Sequence, residues 1–208
     1  MHALGPEHTG STLIELVVEL LGLEDLAQAD VLDIGCGVRF TQAIINREIP
    51  VKSYTGIDVH RPLIEYLQRE VQDPRFRFAH WNVRNEKYAQ EGERMTRQSR
   101  LPVGGEFDVI WLFSVFTHLG PTDADAMLAI LRRHVRASGA LFFSAFVDDA
   151  IESFEDRCPD RPLDYPCYSE RYLRRLVEGN GWRVASVNQP DPSRYIQHHW
   201  LCHPSVGA

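Results

Sequence analysis

The stretch from Val31 to Gly37 constrains the fold of this chain more than any other, and it reads V-L-D-I-G-C-G. Its apolar run without polar alternation is typical of a strand that is covered on both faces, as in a parallel sheet. Gly35 and Gly37 come where such a strand turns into a helix, and a missing Cβ lets the backbone approach a ligand. Asp33 can accept hydrogen bonds from a ligand ammonium group. The dinucleotide fingerprint G-x-G-x-x-G is absent from the sequence.

A second acidic residue follows the next predicted strand, Ser53–Asp58, which comes after a helical pattern that extends to about Arg47. Asp58 lies 21 residues after Gly37. A βαβ unit places a carboxylate on a ribose diol at this separation, because two vicinal hydroxyl groups donate two hydrogen bonds that one carboxylate accepts. The order strand, glycine turn, helix, strand and acid therefore predicts a ligand site at the carboxyl ends of the first two strands.

This pattern of Asp33, Gly35 and Gly37 resembles the first motif of the class I S-adenosylmethionine-dependent methyltransferases, D-x-G-x-G-x-G, with Arg39 at the third glycine position. Alternating strands and helices indicate a three-layer α/β fold. The resemblance extends from about Val31 to the last predicted strand. It implies a Rossmann-like fold with a mostly parallel seven-stranded sheet and an antiparallel last strand. It also implies S-adenosylmethionine as the cofactor, bound outside the carboxyl ends of strands one, two and four.

The resemblance assigns the donor site to the motif residues and to residues that follow the next strands. These are Asp33, Gly35, Cys36, Gly37, Asp58, Val59, Asn82, Val83 and Phe113. Asn82 stands where the family commonly has an Asp that meets the adenine amino group, and a turn-forming Asn is the other interpretation. We expect Arg39 to point away from the sulfonium, because like charges repel.

The fourth predicted strand, Phe107–Phe113, and the turn after it resemble the family's fourth motif. Nucleic-acid methylases that act on exocyclic amines have an Asn/Asp-Pro-Pro-aromatic run here, whereas this chain has L-F-S-V at 112–115, which disfavours base methylation. His118 lies in the turn and titrates near neutral pH, so it is the candidate general base. The alternative is that His118 belongs to a packed apolar turn. Tyr165 is the candidate substrate-binding residue.

The chain is predicted to be one methyltransferase domain over residues 1–208, with residues 1–28 as an N-terminal helical cap and residues 85–105 and 147–166 as inserted loops. Loops as long as Val147–Pro166 often act as lids in compact domains. Further expectations concern element boundaries: a capped helix over Thr12–Leu21, a helix opened by Thr122, a turn at Ala137–Gly139 before a fifth strand Ala140–Phe146, a helix capped by Ser169, and final strands at Trp182–Val187 and Tyr195–Cys202.

Composition narrows the class of protein. A net charge of −7 and a pI of about 5.7 argue against a nucleic-acid substrate. No stretch approaches the roughly 18 apolar residues that span a bilayer, and the first ten residues lack the order of a signal peptide, so we expect a cytoplasmic protein without a membrane partner. The four cysteines are then expected to be free thiols. No metal site is predicted, since His198 and His199 point to opposite faces of a strand.

The sequence thus predicts methyl transfer from S-adenosylmethionine to a small-molecule acceptor with an oxygen or nitrogen nucleophile. Two alternatives remain at this point. One is a catalytically silent module that binds S-adenosylmethionine. The other is an NAD(P)-dependent oxidoreductase, which the missing glycine spacing disfavours. The sequence makes no prediction of the oligomeric state.

Overall fold

Helices and strands alternate along most of the chain, and the computed structural model describes residues 5–85, 87–190 and 196–205. The helices are α1 (Pro6–Leu21), α2 (Arg39–Asn46), α3 (Arg61–Glu70), α4 (Pro121–Arg132) and α5 (Glu170–Gly179). The strands are β1 (Leu26–Ile34), β2 (Val51–Asp58), β3 (Phe76–His80), β4 (Phe107–Leu112), β5 (Val135–Val147), β6 (Phe154–Asp156), β7 (Pro166–Tyr168), β8 (Trp182–Asn188) and β9 (His198–Pro204). A short 3-10 turn covers Phe116–His118.

Seven strands form the main sheet in the order β3-β2-β1-β4-β5-β9-β8. The pairs among β1 to β5 are parallel, and β9 runs antiparallel to both β5 and β8. The mostly parallel seven-stranded sheet with an antiparallel last strand is therefore confirmed. The strand order reverses between β1 and β4, and in open α/β sheets ligands bind outside the carboxyl ends of the strands at such a point.

Each face of the sheet carries its own hydrophobic cluster, which gives the three predicted layers. Val31 and Leu32 are adjacent in β1 and pack into opposite clusters, because side chains alternate along a strand. One cluster contains apolar residues of α1, α2 and α3, and the other contains those of α4 and α5. Burial on both faces explains why β1 reads as a continuous apolar run.

The first helix differs from its prediction at the N-terminus. It begins at Pro6 rather than Thr12, with Gly5 as the N-cap, because proline suits the first turn of a helix. The hydroxyl of Thr12 donates to the carbonyl of His8 inside the helix and does not cap it. The predicted end is confirmed, since Gly22 adopts a left-handed φ of 63° and its N–H bonds back into the last turn. Because β1 begins at Leu26, the last residues of the expected 1–28 cap belong to the sheet.

The predicted turn at Ala137–Gly139 is wrong, because β5 runs unbroken from Val135 to Val147. The residues of that segment form a bulge against β4, where the pairing shifts between Phe107 and Val109. The helix start after Ser169 is confirmed, since the Ser169 side chain accepts a hydrogen bond from the N–H of Tyr172. The fourth helix begins at Pro121, and β9 begins at His198, while Tyr195 lies outside the described residues.

The expectation of a plain loop over 147–166 is wrong in part. Within it, β6 pairs antiparallel with β7, and β7 pairs parallel with the end of β5 at Phe146 and Val147. This β6–β7 hairpin extends the sheet beyond the carboxyl end of β5. The described part of 85–105 is irregular, with isolated bridges from Val83 to Glu93 and from Asn85 to Ala89. Both segments lie at the edge of the sheet where β1, β2 and β4 end.

Candidate active site

A cavity of about 610 Å³ opens at the carboxyl ends of β1, β2 and β4. Its walls come from the turn after β1, the end of β2, the segment after β3 and the turn after β4. Ligand sites in proteins usually measure about 300–1,000 Å³. The cavity therefore has the size of a small-molecule site, and it lies where the sequence predicted one.

The turn after β1 is fixed to β2 by two hydrogen bonds. The N–H groups of Gly35 and Cys36 both donate to the carbonyl oxygen of Ile57, at 2.7 and 3.1 Å. Gly35 has a φ of 70°, and a Cβ there would lie 2.6 Å from Cγ2 of Val115. Gly37 has a φ of 50°, yet a Cβ there would meet no protein atom within 4 Å. Packing thus requires a glycine at Gly35, whereas the absence of a side chain at Gly37 leaves open space at the cavity wall.

The carboxylate of Asp58 lies beside this turn. Oδ2 accepts the N–H of Gly37 at 3.1 Å, and Oδ1 accepts the N–H of His60 at 2.9 Å. Each carboxylate oxygen has a second acceptor position, so the group is oriented by the backbone and can still accept from a ligand in the cavity. Val59 also lines the cavity, and its carbonyl lies 3.1 Å from Nε2 of His80.

Asp33 does not line the cavity but lies beneath the turn, only 1 % exposed. The hydroxyl of Tyr54 donates to its carboxyl at 2.5 Å. Burial raises the pKa of Asp33 to about 7, although the Tyr54 hydrogen bond acts in the opposite direction. This placement does not bring Asp33 to a ligand ammonium group. It gives Asp33 a supporting position under the glycine turn instead.

Arg39 was expected to point away from the sulfonium, and it lies in the cavity wall at the start of α2. Its guanidinium carbon lies 4.8 Å from the centroid of the Phe113 ring. Its Nε is buried and has no hydrogen-bond partner in the part of the chain that the structure describes. Phe113 lines the same wall, as predicted for the donor site.

Ser114 lies just after the end of β4 and has a left-handed φ of 59°, which is unusual for a residue with a Cβ. Its N–H donates to Oγ of Ser144 at 2.8 Å, and its own Oγ accepts from Nε2 of Gln197 at 2.9 Å. The Ser144 hydroxyl donates to Oε1 of Gln197 at 2.5 Å, which closes the network. Strained backbone of this kind persists only when its surroundings fix it, and it often occurs at ligand sites. Sequence reasoning missed this network, which joins β4, β5 and the approach to β9.

His118 also lines the cavity, in the turn after β4. Its Nδ1 lies 2.8 Å from the carbonyl oxygen of Leu163, and its Nε2 lies 3.5 Å from the hydroxyl of Tyr88. A carbonyl can only accept, so Nδ1 carries the proton and the lone pair of the neutral ring is on Nε2. Burial lowers the pKa of His118 from its ordinary value, which favours that neutral form.

Both inserted segments contact His118 and each other. Lys87 Nζ and Asp164 Oδ1 form an ion pair at 2.8 Å. The amide of Asn85 donates to the backbone carbonyl of His118 at 3.3 Å. Leu163 has a φ of 60°, and its N–H donates to Asp156 at the end of β6. Segments 85–105 and 147–166 therefore meet over one end of the cavity.

Besides Asp33, two predicted site residues lie outside the cavity lining. Asn82 is exposed and does not line the cavity, whereas its neighbours Trp81 and Val83 do. Tyr165 packs on the ring of Phe146 at a centroid distance of 4.3 Å, and it does not line the cavity either. The predicted residues that the cavity brings together are Gly35, Cys36, Gly37, Asp58, Val59, Val83, Phe113 and His118. The sequence reasoning missed His60, Asn85, Tyr88 and Ser114, which line the same walls.

Comparison with known protein families shows to which family of proteins the chain belongs. A family model described as a methyltransferase domain matches residues 32–141, just over half of the chain, from within β1 to within β5. The chain belongs to this methyltransferase domain family. The resemblance to class I methyltransferases that Asp33, Gly35, Gly37 and Asp58 carry is confirmed at the level of the family. The matched residues include the glycine turn, the end of β2 and the turn after β4.

A curated relative of this methyltransferase domain is the malonyl-[acyl-carrier protein] O-methyltransferase of Halalkalibacterium halodurans strain C-125. It is 25 % identical over 158 residues, which are 73 % of this chain and 53 % of the relative. The chain thus spans about half the length of that protein.

Solved methyltransferases share the fold at low sequence identity. A structure of magnesium protoporphyrin IX methyltransferase from Synechocystis PCC 6803 with bound SAM has a TM-score of 0.58 and 18 % identity, over 96 % of this chain and 79 % of that chain. The glycopeptide N-methyltransferase MtfA has a TM-score of 0.66 and 11 % identity, over 94 % and 90 %. An S-adenosylmethionine-dependent methyltransferase from Clostridium acetobutylicum has a TM-score of 0.64 and 13 % identity, over 98 % and 93 %.

Three of the four cysteines of this methyltransferase domain are buried, and Cys158 is partly exposed. Cys36 is buried, which raises the pKa of its thiol, and all four cysteines are free. His199 is fully buried against the ring of Phe142, whereas His198 on the opposite face of β9 is half-buried. In the described ranges, no group of three or more His, Cys, Asp and Glu residues is placed to hold a metal ion. None of the described helices is long and apolar enough to cross a membrane.

Proposed function

We propose that this protein transfers the methyl group of S-adenosylmethionine to a small-molecule acceptor with an oxygen or nitrogen nucleophile. The observation that carries the proposal is the contact between Gly37 and Asp58. A carboxylate is held by the backbone N–H of the glycine turn, next to open space where a side chain would otherwise stand. A nucleoside ligand fits this arrangement, because a ribose diol donates two hydrogen bonds to one carboxylate.

Bound at this site, S-adenosylmethionine supplies a methyl group on a sulfonium leaving group. Because the sulfonium is already a good leaving group, the main contribution of the chain is to align the acceptor and to exclude water. Asp58 orients the ribose end of the site. Phe113 and Ser114 form the wall at the end of β4, and the hydrogen bonds of Ser114 to Ser144 and Gln197 keep that wall rigid.

His118 is proposed as the general base for an acceptor that must lose a proton, such as a hydroxyl group. Two features support this role: the hydrogen bond of Nδ1 to Leu163, which leaves the lone pair on Nε2, and a pKa that burial lowers, which favours the neutral ring. The neutral ring accepts the acceptor's proton at Nε2 as the methyl group is transferred. Tyr88 lies next to that nitrogen and lines the cavity, so its hydroxyl is positioned to orient the acceptor.

The two inserted segments are proposed to close over the acceptor as a joint lid. The ion pair of Lys87 with Asp164 links them, and both reach His118. Closure of such a lid removes water from the reacting groups. Asp33, Asn82 and Tyr165, which were predicted to touch a ligand, are not used in this proposal, because none of them lines the cavity.

The proposal is tested in two steps. Calorimetry should detect binding of S-adenosylmethionine and of its demethylated product, and no binding of NAD. The protein is then incubated with the methyl-labelled donor and a metabolite extract, and label should appear in a small molecule. A protein that binds NAD and neither of the first two ligands would instead be an oxidoreductase. Donor binding without label transfer would favour a catalytically silent binding module.

A further inference from the structure

Arg39 is a cation in the cavity wall whose charge has no carboxylate partner within ion-pair distance among the described residues. The other cavity arginine, Arg84, has an interaction partner, whereas the Arg39 guanidinium lies over the face of the Phe113 ring. Its Nε–H is buried and donates to no acceptor in the described chain. A guanidinium group presents five N–H donors in a planar fork and stays charged in proteins. The side chain is therefore prepared for an anion that the chain itself does not supply.

The Arg39 guanidinium is partly buried without a counter-ion among the described residues, and an anionic ligand can offset the free energy that its desolvation costs. Burial lowers the pKa of Arg39 from its ordinary value, and the carboxyl group of Asp33 beneath the turn raises it. Asp33 is itself occupied by the hydroxyl of Tyr54 and is sealed from the cavity. Removing water from an unpaired charge is unfavourable, so an anion that pairs with Arg39 inside the cavity gains more than it would at an exposed site.

The position of Arg39 indicates which anion it meets. Asp58 lies at the end of β2 and contacts Gly37, whereas Arg39 lies over Phe113, just beyond the end of β4. The two charged groups thus stand on the β2 and β4 sides of the same glycine turn. S-adenosylmethionine has a ribose diol near its centre and one carboxylate at the end of its amino-acid chain. We propose that Arg39 binds that carboxylate, an inference that rests on the proposed function.

This assignment agrees with the expectation that Arg39 points away from the sulfonium, and it names the group that Arg39 meets instead. The donor carries two positive groups, its sulfonium and its ammonium, and both repel a guanidinium. Its carboxylate is its single negative group, and a planar fork matches a carboxylate with two parallel hydrogen bonds. Arg39 therefore tolerates the donor only in the orientation that presents the carboxylate to it. The chain uses an arginine where the family motif has a glycine, so the residue also fixes the direction of the bound amino-acid chain.

The test compares S-adenosylmethionine with decarboxylated S-adenosylmethionine, which keeps both positive groups and lacks the carboxylate. Calorimetry on the wild-type protein should give at least tenfold weaker binding of the decarboxylated ligand. In an Arg39→Met variant, S-adenosylmethionine should bind at least tenfold more weakly than to wild type, and the two ligands should bind with similar affinity. The matched control is Arg61→Met, which removes an exposed arginine at the start of α3 that does not line the cavity. It should keep the wild-type preference.

Three results would overturn the inference. The first is equal affinity of the two ligands for the wild-type protein. This comparison needs no variant, so the inference can be overturned even if Arg39→Met fails to fold. Equal weakening of both ligands in Arg39→Met would show that Arg39 acts through the shape of the turn. An Arg39→Met protein that keeps the wild-type preference would place the carboxylate elsewhere. If wild type binds neither ligand and not the demethylated product, the proposed function fails first and this inference fails with it.

Discussion

The Nδ1 atom of His118 lies 2.8 Å from the carbonyl oxygen of Leu163, a residue in a different segment of the chain. This contact sets the tautomer of the ring, because a carbonyl oxygen cannot donate. It also makes the orientation of the ring depend on the tip of the β6–β7 hairpin. The ring is thus held by one inserted segment at Leu163 and faces the other at Tyr88.

Replacing His118 with Asn should lower turnover by about 10²–10⁴-fold and leave donor affinity unchanged, because general-base catalysis contributes about that much. Burial lowers the pKa of His118, so the wild-type acidic limb of the pH–rate profile should lie below its ordinary value of 6.5. The variant should lose that limb. The control is His203→Asn, since the half-buried His203 also places Nδ1 next to a backbone carbonyl but lies outside the cavity. An unchanged profile together with early melting would make His118 a packing residue.

The Asp58→Ala variant should bind S-adenosylmethionine at least tenfold more weakly than wild type. Losing a charge-assisted hydrogen bond costs about 1.5–3 kcal/mol, and about 1.4 kcal/mol corresponds to a tenfold change in affinity. Calorimetry measures the effect. The Asp160→Ala variant serves as the control, since Asp160 is exposed and does not line the cavity. Unchanged affinity in Asp58→Ala would remove Asp58 from the site.

A valine at Gly37 should abolish donor binding while the domain stays folded, because its side chain would enter the open space of the cavity wall. Part of the effect on stability comes from the left-handed backbone, which costs a residue with a Cβ about 1–2 kcal/mol. Gly22→Val is a matched control for this strain, since Gly22 also has a left-handed φ of 63° and open space but ends α1.

The two valine variants should therefore lose similar thermal stability, and only Gly37→Val should lose binding. Normal donor affinity in Gly37→Val would mean that the ligand does not pass this turn. Gly35→Ala should behave differently from both, because its Cβ would lie 2.6 Å from Val115 and would disturb the turn itself. Melting curves recorded with and without the demethylated product separate loss of thermal stability from loss of ligand binding.

The buried carboxyl group of Asp33 should make stability depend on pH. Its pKa is about 7 in the folded chain and 3.8 as its ordinary value, so between these limits the folded state keeps a proton that the unfolded state has lost. The free energy of unfolding should then fall as pH rises through this window, by at most about 1.4 kcal/mol per pH unit from this group. Urea unfolding of Asp33→Asn across the window should show a smaller slope, whereas Asp160→Asn should keep the wild-type slope. Equal slopes in Asp33→Asn and wild type would contradict the shift.

Local signals in the sequence were sufficient to predict β1, the glycine turn and the end of β2, where the donor is expected to bind. The apolar run of β1 reports burial on both faces, and the glycines and Asp58 mark the turn and the end of β2. Gly22 and Ser169 marked a helix end and a helix start because caps depend on neighbouring residues only. These features are determined within a few residues of the chain, which is why a single sequence predicts them.

The cavity walls around His118 and Ser114 depend on contacts between residues that are distant in the chain, and these contacts could not be predicted from the sequence. His118 meets Leu163 across 45 residues, and Ser114 meets Gln197 across 83. The strands β6 and β7 are three residues long, too short for a period-two pattern to identify them. Tyr165 was predicted to meet a substrate because it belongs to the long segment Val147–Pro166, but the hairpin directs it onto Phe146. The direction of Arg39 was inferred from charge repulsion, without the face of Phe113 that receives its guanidinium.

The β6–β7 hairpin joins the sheet at Phe146 and Val147, at the far end of β5 from its bulge. Its tip carries Leu163 and Asp164, whereas the glycine turn and Asp58 belong to β1 and β2. Under the proposed function, the surface that meets the acceptor can therefore change in sequence and length by exchange of one hairpin, while the residues proposed to bind the nucleoside stay the same. Chimeras that replace residues 157–165 within this frame are a practical route to redirecting such an enzyme toward new acceptors.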